Sequence, residues 1–158
     1  MTRKLFPDIK KTNIYIDTNV LWNYCKGKAN ETACLKLLFS KENRHPLFTS
    51  TFAIGQTMAG IQKSNNRRSG LSKADTIKKG KYLCAKMTVL DFSYQDIEDG
   101  FLQQGSDVED NFHYTISERV NCNIVITNDV AGYEQFDVIA LRPEKNLNYM
   151  RAVLQISN

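Results

Sequence analysis

Two short apolar runs, each ending on polar residues that include a carboxylate, constrain the fold more than any other feature of the chain. The first is residues 14–16, followed by the polar residues 17–19, and the second is residues 124–126, followed by residues 127–129. Bulky, partly β-branched runs of this length predict buried strands that lead into a loop or a helix start. Ligands of open parallel α/β sheets bind just beyond the carboxyl ends of the strands. We therefore expect both polar tips to lie at one edge of a sheet.

The rest of the chain alternates predicted strands with helical patterns. Further strands are predicted at residues 46–49, 87–91 and 138–141. Strands that alternate with helices imply an α/β fold with a parallel, helix-covered sheet of about five strands. A chain of 158 residues is long enough for one hydrophobic core, so we expect a single domain over residues 1–158.

A third acidic stretch, residues 106–110, lies between the two apolar runs. Ser106 and Glu109 have the spacing of a capping box, which predicts that a helix begins there. Asp110 then lies in the first helical turn, on a polar flank shared with His113, a residue that at such a position is more often part of the packing than catalytic. Apolar residues at four-residue spacing predict the buried stripe of this helix: Val108, Phe112, Ile116 and Val120.

Charge is distributed unevenly along the chain, whose net charge is +4. Residues 63–86 contain eight basic residues and one acidic residue, so their net charge is +7. Residues 91–110 contain seven acidic residues and no Lys or Arg, so their net charge is −7. A basic surface attracts a polyanion and an acidic cluster holds divalent cations. Two solvated helix faces of opposite charge remain the alternative interpretation.

Several classes of protein are disfavoured by what the sequence lacks. No apolar run is long enough for a membrane span or a signal peptide, and no glycine-rich phosphate loop follows a predicted strand, which argues against a nucleotide-binding Rossmann enzyme. The cysteines are widely spaced without a C-x-x-C pair, which favours reduced thiols in a cytoplasmic protein. They are Cys25, Cys34, Cys84 and Cys122.

Three aspartates carry the functional hypothesis: Asp17, Asp110 and Asp129. Mg²⁺ and Mn²⁺ prefer carboxylate and water oxygens, and such an ion can activate water and stabilise charge on a phosphoryl oxygen. Each aspartate also has a purely structural alternative, because Asp17 could cap a helix, Asp110 could complement a helix dipole and Asp129 could be a turn residue. The residues alone leave these alternatives open.

Three stretches occur in a recognisable order: IYIDTNV at residues 14–20, DVEDNFHY at 107–114 and IVITNDVAGY at 124–133. Together with VIALRP at residues 138–143, they resemble the PIN-domain family, in particular the VapC-like toxins of bacterial type II toxin–antitoxin modules. The resemblance covers roughly residues 13–150. It implies a three-layer α/β/α sandwich and hydrolysis of RNA phosphodiester bonds that depends on Mg²⁺ or Mn²⁺.

The resemblance also implies roles for individual residues. Asp17, Asp110 and Asp129 match the family's metal-binding, catalytic aspartates. Asp107 lies one helical turn before Asp110 and is either an auxiliary acid or a partner of the helix N-terminus. Four further residues are expected to orient carboxylates or water: Thr18, Asn19, Thr127 and Asn128.

One position departs from the family pattern. The family usually has a glutamate in the helix after the second strand, and this chain has Gln56 there. An amide offers a neutral oxygen ligand but no charge and no capacity as a general base. We therefore expect weaker metal binding and a weakened but retained activity. The alternative is a catalytically impaired PIN-like module that binds RNA or protein.

The expected partners follow from the basic segment and from the resemblance. Arg67, Arg68 and Lys73 are predicted to contact RNA phosphates, which predicts a steep salt dependence of binding. The resemblance adds a small antitoxin protein as a partner, and family members often form homodimers.

Overall fold

The computed structural model describes residues 11–65 and 71–157. Its strands are β1 Asn13–Ile16, β2 Leu47–Ser50, β3 Thr88–Leu90, β4 Cys122–Ile126 and β5 Ile139–Leu141. They form one five-stranded sheet in the order β3-β2-β1-β4-β5, and every pair of neighbours is parallel. The predicted α/β class and the parallel sheet of about five strands are confirmed.

Helices connect these strands. The α-helices of the described segments are α1 Thr18–Cys25, α2 Ala29–Leu38, α3 Thr51–Asn65, α4 Lys73–Lys86, α5 Tyr94–Phe101, α6 Val108–Arg119 and α7 Leu147–Leu154. A short 3₁₀ turn, Ala131–Tyr133, follows β4. Within the described ranges, no helix combines the length and the apolar character that crossing a bilayer would require.

The central strands are buried on both faces of the sheet. Ile14 and Ile16 of β1 belong to one hydrophobic core, together with residues of α1 and α2. Tyr15 of β1 and Val125 of β4 belong to a second core, together with residues of α6 and the 3₁₀ turn. Two cores on opposite faces make the three-layer sandwich, and they explain why the central strands are continuous apolar runs rather than alternating patterns.

Strand order reverses next to β1. The chain runs outward from β1 to β2 and β3 on one side, and β4 and β5 then occupy the other side. In such sheets the carboxyl ends of the two strands at the reversal border a crevice that binds ligands. Asp17 follows β1 and Thr127 follows β4, so both polar tips lie at that crevice. Ile16 stands opposite Ile126 in the register, which brings the two tips level with each other.

Helix α6 begins one residue later than the sequence pattern predicted. Asp107 is its N-cap, and Asp107 Oδ1 accepts a hydrogen bond from the Glu109 backbone nitrogen at 2.7 Å, so the capping box assigned to Ser106 is wrong. A capping box is present instead at the start of α5, between Ser93 and Asp96. Asp107 and Ser106 are both good N-cap residues, and the sequence pattern chose the wrong one.

The predicted buried stripe of α6 is confirmed at Ile116, is only half-buried at Phe112 and Val120, and is wrong at Val108. Ile116 is fully buried, but Val108 is 51% exposed. The flank with polar residues is buried instead, including Asp110, His113 and Ser117. His113 and Ser117 have hydrogen-bond partners inside the protein, which allows their burial, whereas Asp110 Oδ2 has none among the described residues.

Candidate active site

Asp17 is the residue at which β1 ends and α1 begins. Its backbone nitrogen donates to Ile126 O at 3.0 Å, which extends the β1–β4 ladder by one residue. It is also the N-cap of α1, and its Oδ1 accepts from the Thr18 backbone nitrogen at 2.6 Å. The carboxylate is only 3% exposed. The capping role and the position at the crevice are therefore both true of this residue.

The tip of β4 holds Asp17 from the neighbouring strand. Thr127 Oγ1 donates to Asp17 Oδ2 at 2.8 Å, and the Asn19 amide donates to the same oxygen at 3.2 Å. Asn19 also accepts from the Asn128 backbone nitrogen at 2.9 Å, which ties the two strand tips together. Tyr133 OH adds a further contact to Asp17 Oδ2, at 3.3 Å. These hydrogen bonds fix the orientation of the carboxylate.

Asp110 lies in the first turn of α6 and faces other carboxylates. It is 8% exposed, and its Oδ2 is buried with no hydrogen-bond partner among the described residues. Burial, reinforced by the negative charges of Asp17, Asp107 and Asp129, raises the pKa of Asp110 to about 7. The ionised form of this carboxyl group is therefore destabilised unless a cation or a proton compensates its charge.

Asp129 approaches Asp110 above the 3₁₀ turn. Asp129 Oδ1 accepts from the Gly132 backbone nitrogen at 3.1 Å, while its own backbone nitrogen donates to Thr127 Oγ1 at 3.0 Å. A Cβ atom at Gly132 would overlap Asp110 Oδ2 and would lie 2.9 Å from Asp129 Oδ2. The missing side chain of Gly132 thus leaves the space in which these two carboxylates converge.

One cavity of about 520 Å³ collects these side chains at the crevice. Asp17 lies in its lining together with two sets of residues that differ in charge. We call the first set the acidic cluster: Asp107, Glu109, Asp110 and Asp129. We call the second set the neutral cluster: Thr18, Gln56 and His113. Asn19, Trp22, Ala59, Gly60 and Lys63 complete the lining near α1 and α3.

The neutral cluster is bonded within itself. Gln56 Oε1 accepts from Thr18 Oγ1 at 2.6 Å and lies 3.2 Å from His113 Nε2. His113 is 2% exposed, and its Nε2 also lies 3.4 Å from Asp17 Oδ1. Burial lowers the pKa of His113, although the charge of Asp17 opposes this effect. The ring is therefore held toward its neutral form.

The acidic cluster meets the chemical requirements of a divalent cation. It presents hard oxygen donors, a partnerless buried oxygen at Asp110 and an excess of negative charge. Over residues 11–65 and 71–157, no group of three His, Cys, Asp or Glu side chains is already arranged to hold a metal ion. The donors therefore fit such an ion in type and in charge, and ligation would require the carboxylates to move closer together.

The structure brings most of the predicted site residues together. Asp17, Asp110, Asp129, Asp107 and Gln56 all line the cavity. The four predicted supporting residues lie at the two strand tips: Thr18, Asn19, Thr127 and Asn128. Their proposed roles stay predictions. Asp107 additionally caps α6, which is the structural alternative named for it above.

Of the three predicted RNA contacts, Lys73 alone belongs to the described residues, and it is not part of the cavity lining. Lys73 is exposed at the first residue of α4, and Arg67 and Arg68 lie outside the described residues. Lys63, a basic residue that the sequence analysis did not single out, is exposed and lines the cavity. The position of Lys63 in the predicted basic segment, residues 63–86, is the sequence feature that could have identified it.

Sequence reasoning missed several residues that support the site. His113 was expected to be a packing residue, and it contacts Asp17 and Gln56. Tyr133 reaches Asp17, and the buried Glu31 accepts from the Asn128 amide at 2.9 Å. An aromatic or acidic residue far away in the chain carries no local pattern that would reveal such a contact. Only the proximity of His113 to Asp110 in α6 gave a hint.

Comparison with known proteins gives one family match and several structural matches. The family model of the PIN domain matches residues 14–138. No protein of curated function matches the sequence. Three solved structures share the fold at low sequence identity and are described next.

VapBC2 from Rickettsia felis, bound to a DNA fragment from its promoter, is 15% identical with a TM-score of 0.58, and the match covers 83% of this chain and 98% of the other. VapC20 from Mycobacterium tuberculosis, described as a toxin that cleaves the sarcin–ricin loop, is 15% identical with a TM-score of 0.57, and the match covers 80% and 99%. VapBC-1 from nontypeable Haemophilus influenzae is 14% identical with a TM-score of 0.59, and the match covers 82% and 96%. These similarities establish a common fold.

Proposed function

The chain belongs to the PIN-domain family, and from this premise we propose that it is a metal-dependent endoribonuclease that hydrolyses RNA phosphodiester bonds. We place it in the cytoplasm as the toxin of a toxin–antitoxin pair. One observation carries the proposal: Asp110 Oδ2 is buried without a partner among the described residues, in a cavity that it shares with Asp17 and Asp129. A buried carboxylate oxygen of this kind needs a proton, a cation or a hydrogen-bond donor that the described residues do not supply.

The three aspartates are the proposed holders of Mg²⁺ or Mn²⁺, with Asp107 and the amide oxygen of Gln56 as auxiliary ligands. A divalent ion bound there supplies water of lowered pKa and neutralises charge that develops on a phosphoryl oxygen. The chain itself keeps Asp17 in one orientation through Thr127 and Asn19. Because Asp110 Oδ2 is buried without a partner among the described residues, we propose that metal binding changes the ionisation of this carboxyl group more than that of the others.

RNA is the proposed substrate because basic side chains accompany the acidic cavity. Carboxylates alone repel phosphate, so a nuclease with this site needs cations near its entrance. Lys63 lines the cavity, and Lys73 is exposed at the start of α4. Arg67 and Arg68, which lie outside the described residues, are proposed phosphate contacts on the strength of the sequence alone.

The proposed protein partner is a small antitoxin. Two of the similar structures are VapBC proteins, and one of these is bound to promoter DNA. By analogy we propose that an antitoxin binds this chain and covers the cavity, and that the chain forms homodimers. Sequencing the neighbouring gene and co-expressing its product with this chain would test whether the two proteins form a complex.

The enzyme is tested by incubating the purified protein with structured and single-stranded RNA, in Mn²⁺ or in EDTA. We expect cleavage in Mn²⁺ only, and a loss of at least about 100-fold in Asp17→Asn, since metal stabilisation of a transition state is worth several kcal/mol. Asp99→Asn is the matched control, because it removes the same charge from α5. Cleavage by Asp17→Asn at the wild-type rate would contradict the proposal.

A second candidate function is suggested by Gln56. Its amide oxygen is already engaged by Thr18 and His113, and it brings no charge to the site. A protein of this kind could bind RNA without cutting it. Retention of RNA by the wild-type protein, with no cleavage in Mn²⁺ at any protein concentration, would favour this binding module over the nuclease.

A further inference from the structure

His113 connects the proposed site to the middle of the sheet. Its Nε2 lies 3.4 Å from Asp17 Oδ1, 3.2 Å from Gln56 Oε1 and 3.1 Å from Thr18 Oγ1. On the other side of the ring, Nδ1 lies 2.8 Å from Tyr15 OH. Both ring nitrogens are therefore engaged, and the ring is 2% exposed.

The partners decide which nitrogen carries the hydrogen. The carboxylate of Asp17 and the amide oxygen of Gln56 can only accept hydrogen bonds, so His113 Nε2 must be the donor. In a neutral ring Nδ1 is then an acceptor, and the hydroxyl of Tyr15 donates to it. Ser50 Oγ lies 2.8 Å from Tyr15 OH and donates to it in turn.

Ser50 anchors this chain of hydrogen bonds to the backbone. Its Oγ accepts from the Ala53 backbone nitrogen at 3.0 Å, at the start of α3, the helix that carries Gln56. The hydroxyl hydrogen of Ser50 is thereby directed to Tyr15. A fixed order results, in which Ser50 donates to Tyr15, Tyr15 donates to His113, and His113 Nε2 donates to Gln56 Oε1 while lying 3.4 Å from Asp17 Oδ1.

We propose that His113 is a positioning residue of the site: its Nε2–H holds Gln56 Oε1 by a hydrogen bond and faces Asp17 Oδ1 at 3.4 Å, and Tyr15 fixes the orientation of the ring by donating to Nδ1. The ring has no lone pair left for a substrate, so it acts through the two side chains that it contacts. The effect expected on cleavage rests on the proposed nuclease function. The tautomer and the orientation of the ring do not.

The tautomer is tested directly by long-range ¹⁵N–¹H NMR correlation on Tyr15→Phe, which removes the donating hydroxyl and keeps the ring. In the wild-type protein we expect the hydrogen of His113 on Nε2. In the variant we expect the same tautomer with a shifted ¹⁵N resonance of Nδ1, because Nδ1 loses its hydrogen-bond donor. His45, the other of the two histidines, is an internal control. Its Nδ1 accepts from the Thr12 backbone nitrogen at 3.1 Å, so its tautomer should stay on Nε2 in both proteins.

The positioning role is tested with His113→Leu and His113→Gln. Glutamine can place an amide donor near the position of Nε2, whereas leucine cannot donate. In His113→Leu we expect the Mn²⁺ affinity measured by calorimetry and the kcat for RNA cleavage each to fall by about 10–100-fold, while the KM for RNA stays unchanged. We expect His113→Gln to recover most of this loss. Thermal melting identifies any variant that fails to fold, in which case Tyr15→Phe takes its place in the same assays.

Three results would overturn the inference: a wild-type hydrogen on Nδ1, an unchanged Nδ1 resonance in Tyr15→Phe, or a folded His113→Leu with wild-type Mn²⁺ affinity. Failure of the nuclease proposal has a different signature. In that case no variant cleaves RNA, while the NMR spectra and the Mn²⁺ titrations still decide the role of His113.

Discussion

The two clusters that line the cavity differ in how completely the protein satisfies them. In the neutral cluster, Gln56 Oε1 and both nitrogens of His113 have partners within hydrogen-bond distance. In the acidic cluster, Asp110 Oδ2 has none among the described residues, and Asp129 is exposed. Folding therefore completes the neutral cluster and leaves a deficit of positive charge in the acidic one. Since buried polar atoms in native proteins are nearly always paired, this deficit makes the acidic cluster the part of the cavity that is suited to a cation.

The largest expected effect is a pH dependence that belongs to the acidic cluster. Because the folded protein raises the pKa of Asp110 from 3.8 to about 7, the folded state binds more protons than the unfolded state between these values. The free energy of unfolding of the metal-free protein should therefore fall as pH rises from about 4 to about 7. A pKa difference of one corresponds to about 1.4 kcal/mol, and screening by water in the open cavity reduces the total to about 2 kcal/mol.

Urea denaturation of the wild-type protein and of Asp110→Asn at a series of pH values measures this effect. The wild-type protein should lose about 2 kcal/mol more than the variant between pH 4 and pH 7.5. Saturating Mn²⁺ should abolish this loss of unfolding free energy in the wild-type protein, because the ion stabilises the ionised carboxylate of Asp110. Parallel curves for the two proteins without metal would mean that folding does not raise the pKa of Asp110.

A second, smaller effect should follow from filling the space between the acidic side chains. In Gly132→Ala the new methyl group would overlap Asp110 Oδ2, so the two carboxylates must turn apart. We expect Mn²⁺ affinity to fall about 10-fold, which corresponds to about 1.4 kcal/mol, with thermal stability nearly unchanged. Calorimetric titration with Mn²⁺ gives the affinity.

Gly55→Ala is the matched control for this substitution. Its added Cβ meets no atom within 4 Å in α3, and replacing a helical glycine by alanine should stabilise the protein by up to about 1 kcal/mol. Its Mn²⁺ affinity should equal that of the wild-type protein. Equal affinities for both alanine variants would place the metal away from Gly132.

The contrast between the clusters also separates what sequence reasoning could predict from what it could not. Asp17 and Asp129 were placed correctly at strand ends, because buried parallel strands are continuous apolar runs that stop at the sheet edge. His113 was assigned to packing, because its partners Tyr15 and Gln56 come from other elements. The burial of the polar flank of α6 was missed in part for the same reason: the hydrogen bonds of His113 reach other elements, and no local periodicity records them.

The smallest expected effect comes from making the neutral cluster acidic. In Gln56→Glu, one carboxylate oxygen can keep the hydrogen bonds from Thr18 Oγ1 and His113 Nε2, while the second adds charge beside Asp17. We expect Mn²⁺ to bind about 3–10-fold more tightly, since the oxygen donors gain one negative charge.

Gln62→Glu adds the same charge to an exposed position of the same helix and should leave the affinity near the wild-type value. Calorimetry on the three proteins compares the two positions directly. Tighter binding in Gln56→Glu alone would mean that the neutral cluster faces the metal and that Gln56 limits its affinity. An affinity that is unchanged or weaker in Gln56→Glu would remove Gln56 from the metal site. Among the described residues, the proposed site would then consist of the acidic cluster and Asp17.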